Sequence, residues 1–207
     1  MEEAVRVPCD TFELEGRLSH SPNASLAVVV CHPHPKMGGD LHSPPVDWVR
    51  RALAARGAAV LRFNFRGTGA SGGKHGGGHA EIEDVAAALR FLAGHAPRAR
   101  LALVGYSFGA LVAARAAALR EDLFALGLIA PPLAMTRLPP LSARLLPAGL
   151  CVVAGTRDDF CPVAALQAWA AKSGAAVELL ADEDHFLAGA RDRLERIFSS
   201  WLDPDAA

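Results

Sequence analysis

Cysteine is scarce in this chain, with four in 207 residues (Cys9, Cys31, Cys151 and Cys161) and no Cys-x-x-Cys pair. That scatter excludes a disulfide-stapled secreted scaffold and a structural zinc built on paired thiolates, and it fits reduced thiols in a cytoplasm. Aromatic residues make up only 6% of the chain, so the core must be aliphatic. No apolar run reaches the roughly 18 residues needed to cross a bilayer. The opening residues, MEEAVRVPCD, are acidic where a secretory signal is basic. Export, membrane insertion and membrane partners are therefore not expected. Charge of one sign is lacking too. Lys plus Arg number 21 against 22 Asp plus Glu, a formal net charge of -1, which provides no global field for holding nucleic acid or an anionic surface. Lysine stands only at Lys36, Lys74 and Lys172, a bias with no functional weight.

What the chain does have is alternation. Apolar runs of strand length at 26–31, 59–65, 101–105, 124–130, 150–155 and 176–180 are separated by helical patterns near 46–56, 79–93, 107–119, 162–173 and 186–201. This is the pattern of parallel inner strands joined by crossover helices, and near-continuous Val, Leu and Ala in the strands implies helices on both faces. An extended piece over 12–18 is expected to add an edge strand. The length suits one domain, 1–207, burying roughly 70% of its unfolded surface, with no room for a cap domain. The Pro-rich segment 131–147 is the only connection long enough to reach over a site, and it reads equally as a surface excursion.

In open parallel sheets, ligands bind beyond the carboxyl ends of the strands, where loops converge and helix N-termini present free N–H groups. Gly105-Tyr106-Ser107-Phe108-Gly109 lies between a buried strand and a helix, the context in which G-x-S-x-G forms a strained elbow with an exposed serine. A serine hydroxyl needs a base, and the base needs a group to orient it. Asp158 follows the strand 150–155 and His185 follows the strand 176–180, so the chain order Ser107, Asp158, His185 is that of one serine-hydrolase architecture. Asp158 is preferred to Asp159 because it is nearer the strand end. Asp182 and Asp184 are expected to cap the loop around His185 or to place charge around the mouth. For the oxyanion that acyl transfer creates, the N–H of Phe108 and one from the loop after 26–31 are the candidate donors. Pro33 and Pro35 have no N–H, which leaves His34, with Lys36 and Met37 as alternatives.

Three rival sites compete. His32, His34 and His42 could bind a transition metal through imidazole, but no nearby carboxylate or thiolate completes a set. His75 and His79 lie in a glycine-rich stretch expected to be mobile, with Glu81 and Glu83 suited to the first turn of the next helix. The loop Arg66-Gly67-Thr68-Gly69-Ala70-Ser71-Gly72-Gly73 fits G-x-G-x-x-G formally and could cradle phosphate, yet it lacks the acidic residue a dinucleotide site places on the next strand.

The motifs CHPHPKMGG, RFNFRGTGASGG, GYSFGA, GTRDDFCP and DEDHF stand in the order and spacing of the α/β-hydrolase superfamily. Nearly the whole chain resembles its small lidless bacterial members related to dienelactone hydrolases. The resemblance implies a single-domain α/β fold with a mostly parallel sheet. It also implies Ser107 as nucleophile, Asp158 as acid, His185 as base, and His34 with Phe108 as oxyanion hole. The expected function is a cytoplasmic serine esterase, a monomer or homodimer, that cleaves a small-molecule ester of a small or medium acyl group without metal or organic cofactor. A thioesterase, peptidase or acyltransferase would use the same groups, and a non-catalytic binding module of the same fold is the alternative from another class.

Overall fold

The computed structural model describes residues 2–141 and 149–201. Its frame is one eight-stranded sheet in the order β1-β2-β4-β3-β5-β6-β7-β8. The strands are β1 (Glu2–Cys9), β2 (Phe12–Ser19), β3 (Leu26–Cys31), β4 (Ala59–Phe63), β5 (Arg100–Tyr106), β6 (Leu123–Ile129), β7 (Leu150–Gly155) and β8 (Ala176–Leu180). The helices are α1 (Pro44–Ala55), α2 (Glu81–His95), α3 (Phe108–Ala117), α4 (Val163–Ser173) and α5 (Arg191–Ser200). From β4 to β8 across the sheet the strands are parallel, whereas β1 and β2 form an antiparallel hairpin that docks antiparallel on β4. This is the architecture the alternation implied.

The strand period of two sorts the core into two layers. In β3, Ala27, Val29 and Cys31 face the layer built with α2, α3 and α4, while Val28 and Val30 face Val46, Val49 and Leu53 of α1 and Leu194 and Phe198 of α5. α1 begins with Pro44 and Pro45, whose missing N–H groups cost nothing in a first turn, and the Ser43 carbonyl accepts the N–H groups of Val46 and Asp47. α4 stops where Gly174 takes a left-handed φ of 69°. Because β3, β5, β7 and β8 run the same way in register, His32, Ser107, Thr156 and Ala181 all emerge at one rim.

Three expectations need correction. The piece around 12–18 is the second strand, because β1, masked by its Glu, Arg and Pro, pairs with it along its full length and takes the edge. The run 176–180, expected as an inner strand, is the opposite edge, and only Leu180 of its five residues is buried. The last helix starts at Arg191 rather than near 186, since Leu187 adopts a left-handed φ of 56° that no helix continues. In the segment 131–147, the described part up to Leu141 packs Leu138 and Leu141 into the core, and Trp169 donates to the Pro139 carbonyl at 3.3 Å. The remainder, 142–147, lies outside the described residues.

Phe198 shows how tightly the sheet is covered. A Cβ on Gly127 of β6 would lie 3.0 Å from its ring, so the glycine is what admits the aromatic. Phe198→Ala should lower unfolding free energy by about 3–5 kcal/mol in urea titrations, without changing chemistry at the distant rim.

Candidate active site

Ser107 is one of few non-glycine residues with positive φ, at 54° with ψ of −116°. Such a conformation costs about 1–3 kcal/mol and persists only when neighbours impose it. They do: the Ser107 N–H donates to the Ile129 carbonyl at 2.8 Å, and its carbonyl accepts Ala110 and Leu111 N–H groups as α3 begins. The flanking glycines permit the elbow. A Cβ on Gly105 would sit 2.2 Å from the Gly109 carbonyl oxygen, and one on Gly109 would sit 2.4 Å from that of Cys31. Both distances are far inside contact, so the G-x-S-x-G spacing reflects backbone packed on backbone.

The loops after β7 and β8 are fastened together. Thr156 N–H donates to Leu180 and Arg157 N–H to Glu183 at 2.9 Å, and a Cβ on Gly155 would lie 2.2 Å from the Glu183 carbonyl oxygen. Glu183 is itself buried, paired with Arg193 and accepting the Gly189 N–H. This clasp brings His185 against Asp158. The ring Nδ1 lies 3.0 and 2.9 Å from the two carboxylate oxygens, and Nε2 lies 2.8 Å from Ser107 Oγ. Asp158 is buried and also accepts N–H groups from Phe160 and Cys161, whereas Asp159 is exposed. Asp182 pairs with Arg157, and Asp184 accepts the Phe186 N–H at 2.8 Å, so both brace the loop.

Two further groups position His185, and motif spacing gave no sign of them. The Tyr106 hydroxyl donates to the His185 carbonyl at 2.9 Å, and the Phe160 ring lies 4.7 Å from the imidazole. Burial and the charges of Asp158 and Asp184 raise the Tyr106 phenol far above its ordinary range, so it remains a donor.

On the opposite wall, Lys36 N–H donates to His34 Nδ1 and Met37 N–H to the His34 carbonyl. These bonds use up the two alternative oxyanion donors. The N–H groups of His34 and Phe108 have no partner among the described residues, and the His34 ring packs 4.9 Å from that of Phe108. Burial, then the nearby His75 and Lys36, hold the His34 imidazole below its usual pKa.

The rival sites turn inward. His32 is fully buried, with Nδ1 on the Pro33 carbonyl at 2.6 Å and Nε2 accepting the Phe65 N–H at 3.0 Å. Neither nitrogen is left for a metal. In the glycine-rich loop, the N–H groups of Gly67, Thr68, Ala70, Ser71 and Gly72 are all taken by protein oxygens, so these five are not free to cradle a phosphate. The stretch around His75 is anchored rather than mobile. Glu81 is fully buried and accepts the Gly76 and Gly78 N–H groups at 2.7 Å each, and His75 Nδ1 lies 3.0 Å from its carboxylate, off the line of a hydrogen bond.

Ser107 and His185 border a cavity of about 480 Å³ whose walls include Pro33, Met37, Pro45 and Trp48. None of residues 131–141 lines it. The four cysteines are free and buried elsewhere in the core, and burial raises the thiols of Cys9 to about 11 and of Cys151 and Cys161 to about 12.

A family profile described as "Serine aminopeptidase, S33" (Hydrolase_4) matches residues 22–154, well over half of the chain. The chain belongs to that family. The matched region carries His34, Ser107 and Phe108 but ends before Asp158 and His185. An uncharacterized protein of Rickettsia prowazekii is 39% identical over 122 residues, 58% of this chain and 51% of its own length. The match thus spans about half of that curated relative. Among solved structures, a Xanthomonas campestris protein titled as an α/β serine hydrolase without lid shares 29% identity and a TM-score of 0.84, covering 98% of this chain and 95% of that one. A putative α/β hydrolase of Agrobacterium tumefaciens shares 26% identity and a TM-score of 0.89, covering 97% and 95%. Among the described residues the fold is accordingly an α/β-hydrolase fold without a lid, and no helix of theirs is long and apolar enough to cross a membrane.

Two outcomes are expected. Tyr106→Phe should slow phosphonylation of Ser107 by a fluorophosphonate by about tenfold, the worth of one lost hydrogen bond, with circular dichroism unchanged. For His32, burial lowers the pKa from 6.5 to about 4. Between these values the unfolded chain holds a proton that the folded one refuses, so this residue's contribution to stability is complete above pH 6.5 and is lost as pH falls toward 4. The loss amounts to about 3 kcal/mol. His32→Gln should flatten that part of the decline in urea midpoints measured across the interval.

Proposed function

We propose that the chain hydrolyses a carboxylic ester of a small or medium acyl group through an acyl-enzyme on Ser107. The observation carrying this reading is the unbroken hydrogen-bond path from Ser107 Oγ through His185 to Asp158 at the edge of the cavity. His185 Nε2 takes the hydroxyl proton as Oγ adds to the ester carbonyl, and Asp158 stabilises the imidazolium and keeps Nδ1 protonated. The carbonyl oxygen becomes an oxyanion, which the N–H groups of Phe108 and His34 stabilise. As the intermediate collapses, the C–O bond to the alcohol breaks and His185 returns its proton to the leaving oxygen. Water then enters, gives a proton to His185 and adds to the acyl carbon; the carboxylic acid leaves and Ser107 regains its proton. Every step uses groups of this chain and water. The free, buried thiols fit work in a reducing cytoplasm.

The family description favours a second reading, amide cleavage of peptides, on the same acyl-enzyme. Esters and amides part at the leaving group, so comparing an alkyl ester with the matched amide separates the two. A fluorophosphonate probe should label the native chain and not Ser107→Ala, which should retain its fold and lose about 10⁴ to 10⁶ of ester turnover. Absence of labelling in folded native protein would instead point to a binding module.

A further inference from the structure

Trp48 stands between two depressions of opposite character. On one side is the cavity of about 480 Å³ at Ser107, and among its lining residues no carboxylate, ammonium or guanidinium appears. Its polar side chains are Ser107, His185, His34, Ser43 and Tyr106. The last is committed to the His185 carbonyl, and Ser43 Oγ accepts the Asp40 N–H. Carboxylates near the mouth are equally engaged, Asp184 with the Phe186 N–H and Asp158 with His185. The rim adds carbon: Met37 and Phe186 are 73% and 65% exposed.

On the other side of Trp48 is a polar depression lined by Glu2, Asp47, Arg50, Arg51 and Arg62. There Arg50 and Arg51 each meet Asp47 at 2.7 Å, and Arg62 meets Glu2 at 2.5 Å. Three guanidiniums face two carboxylates, leaving a residual positive charge. Trp48 and Pro44 line both depressions, so the indole is the partition.

A free amino terminus or a second carboxylate is charged at neutral pH, and burying it without a partner is unfavourable. We propose that the cavity selects a neutral, apolar acyl group, excluding a terminal ammonium and a terminal carboxylate alike, and that Trp48 keeps the carboxylate out by screening the arginines. This rests on the esterase reading of Ser107 and departs from the activity in the family's description.

The test compares three methyl esters of equal chain length: methyl hexanoate, its analogue ending in an ammonium and its analogue ending in a carboxylate, followed by proton release. The neutral ester should exceed both charged ones in kcat/KM by at least about tenfold. Trp48→Ala should narrow the gap for the carboxylate-ended ester alone, by exposing it to the arginines. If that variant does not fold, Trp48→Leu, which keeps apolar packing but leaves a shorter wall, should produce the same one-sided change. Equal rates on the three esters, or a folded variant in which neither ratio moves, would overturn the proposal. Fluorophosphonate labelling of the same preparation separates the two levels: a labelled protein without charge discrimination sinks the selectivity and leaves the esterase reading, whereas an unlabelled one sinks the reading itself.

Discussion

The site depends on one close approach of backbone to backbone. Gly105, Gly109 and the end of β3 are stacked so tightly that no side chain fits between them, and this contact lets α3 start directly over the sheet with Ser107 in a left-handed conformation. Release of that contact would let the elbow relax toward ordinary backbone angles and carry the hydroxyl away from the imidazole. The strain at one residue is thus held by a sheet whose inner strands are almost wholly apolar and buried, an arrangement in which a local deformation is rigidly supported.

A second constraint acts on the histidine. His185 sits on a loop, where mobility would ordinarily be expected. Here the loop is tied down by the clasp between β7 and β8, by the buried Glu183 with Arg193 and Gly189, and by the Tyr106 hydroxyl. The tyrosine comes from the same pentapeptide as the serine. One short segment therefore sets both ends of the Ser107–His185 hydrogen bond, which is the kind of preorganisation that the proposed acyl transfer rewards.

What could be read from the sequence follows the range of the interactions involved. The elbow was legible because strand, turn and helix are local, and the glycines on either side of Ser107 announce the packing. Asp158 and His185 were legible as residues just past strand ends, since parallel strands deliver their carboxyl ends to one rim. Tyr106, Glu183 and Glu81 were not, because each acts through a partner whose facing depends on the folded loops. His32 carried a misleading signal. Its spacing to His34 suggested a ligand set, and only the N–H of Phe65, just past the end of β4, reveals a structural ring with both nitrogens engaged. The edge strand β1 escaped notice because only one of its faces is covered, so its sequence lacks the apolar run that marks the inner strands.

The disposition of sulfur has a practical corollary. All four thiols lie inside the core, and those of Cys9, Cys151 and Cys161 are held almost entirely in the unreactive protonated form. An electrophile that prefers sulfur therefore meets no exposed thiol on the native molecule. Thiol adducts of maleimides and iodoacetamide become gauges of unfolding for this protein.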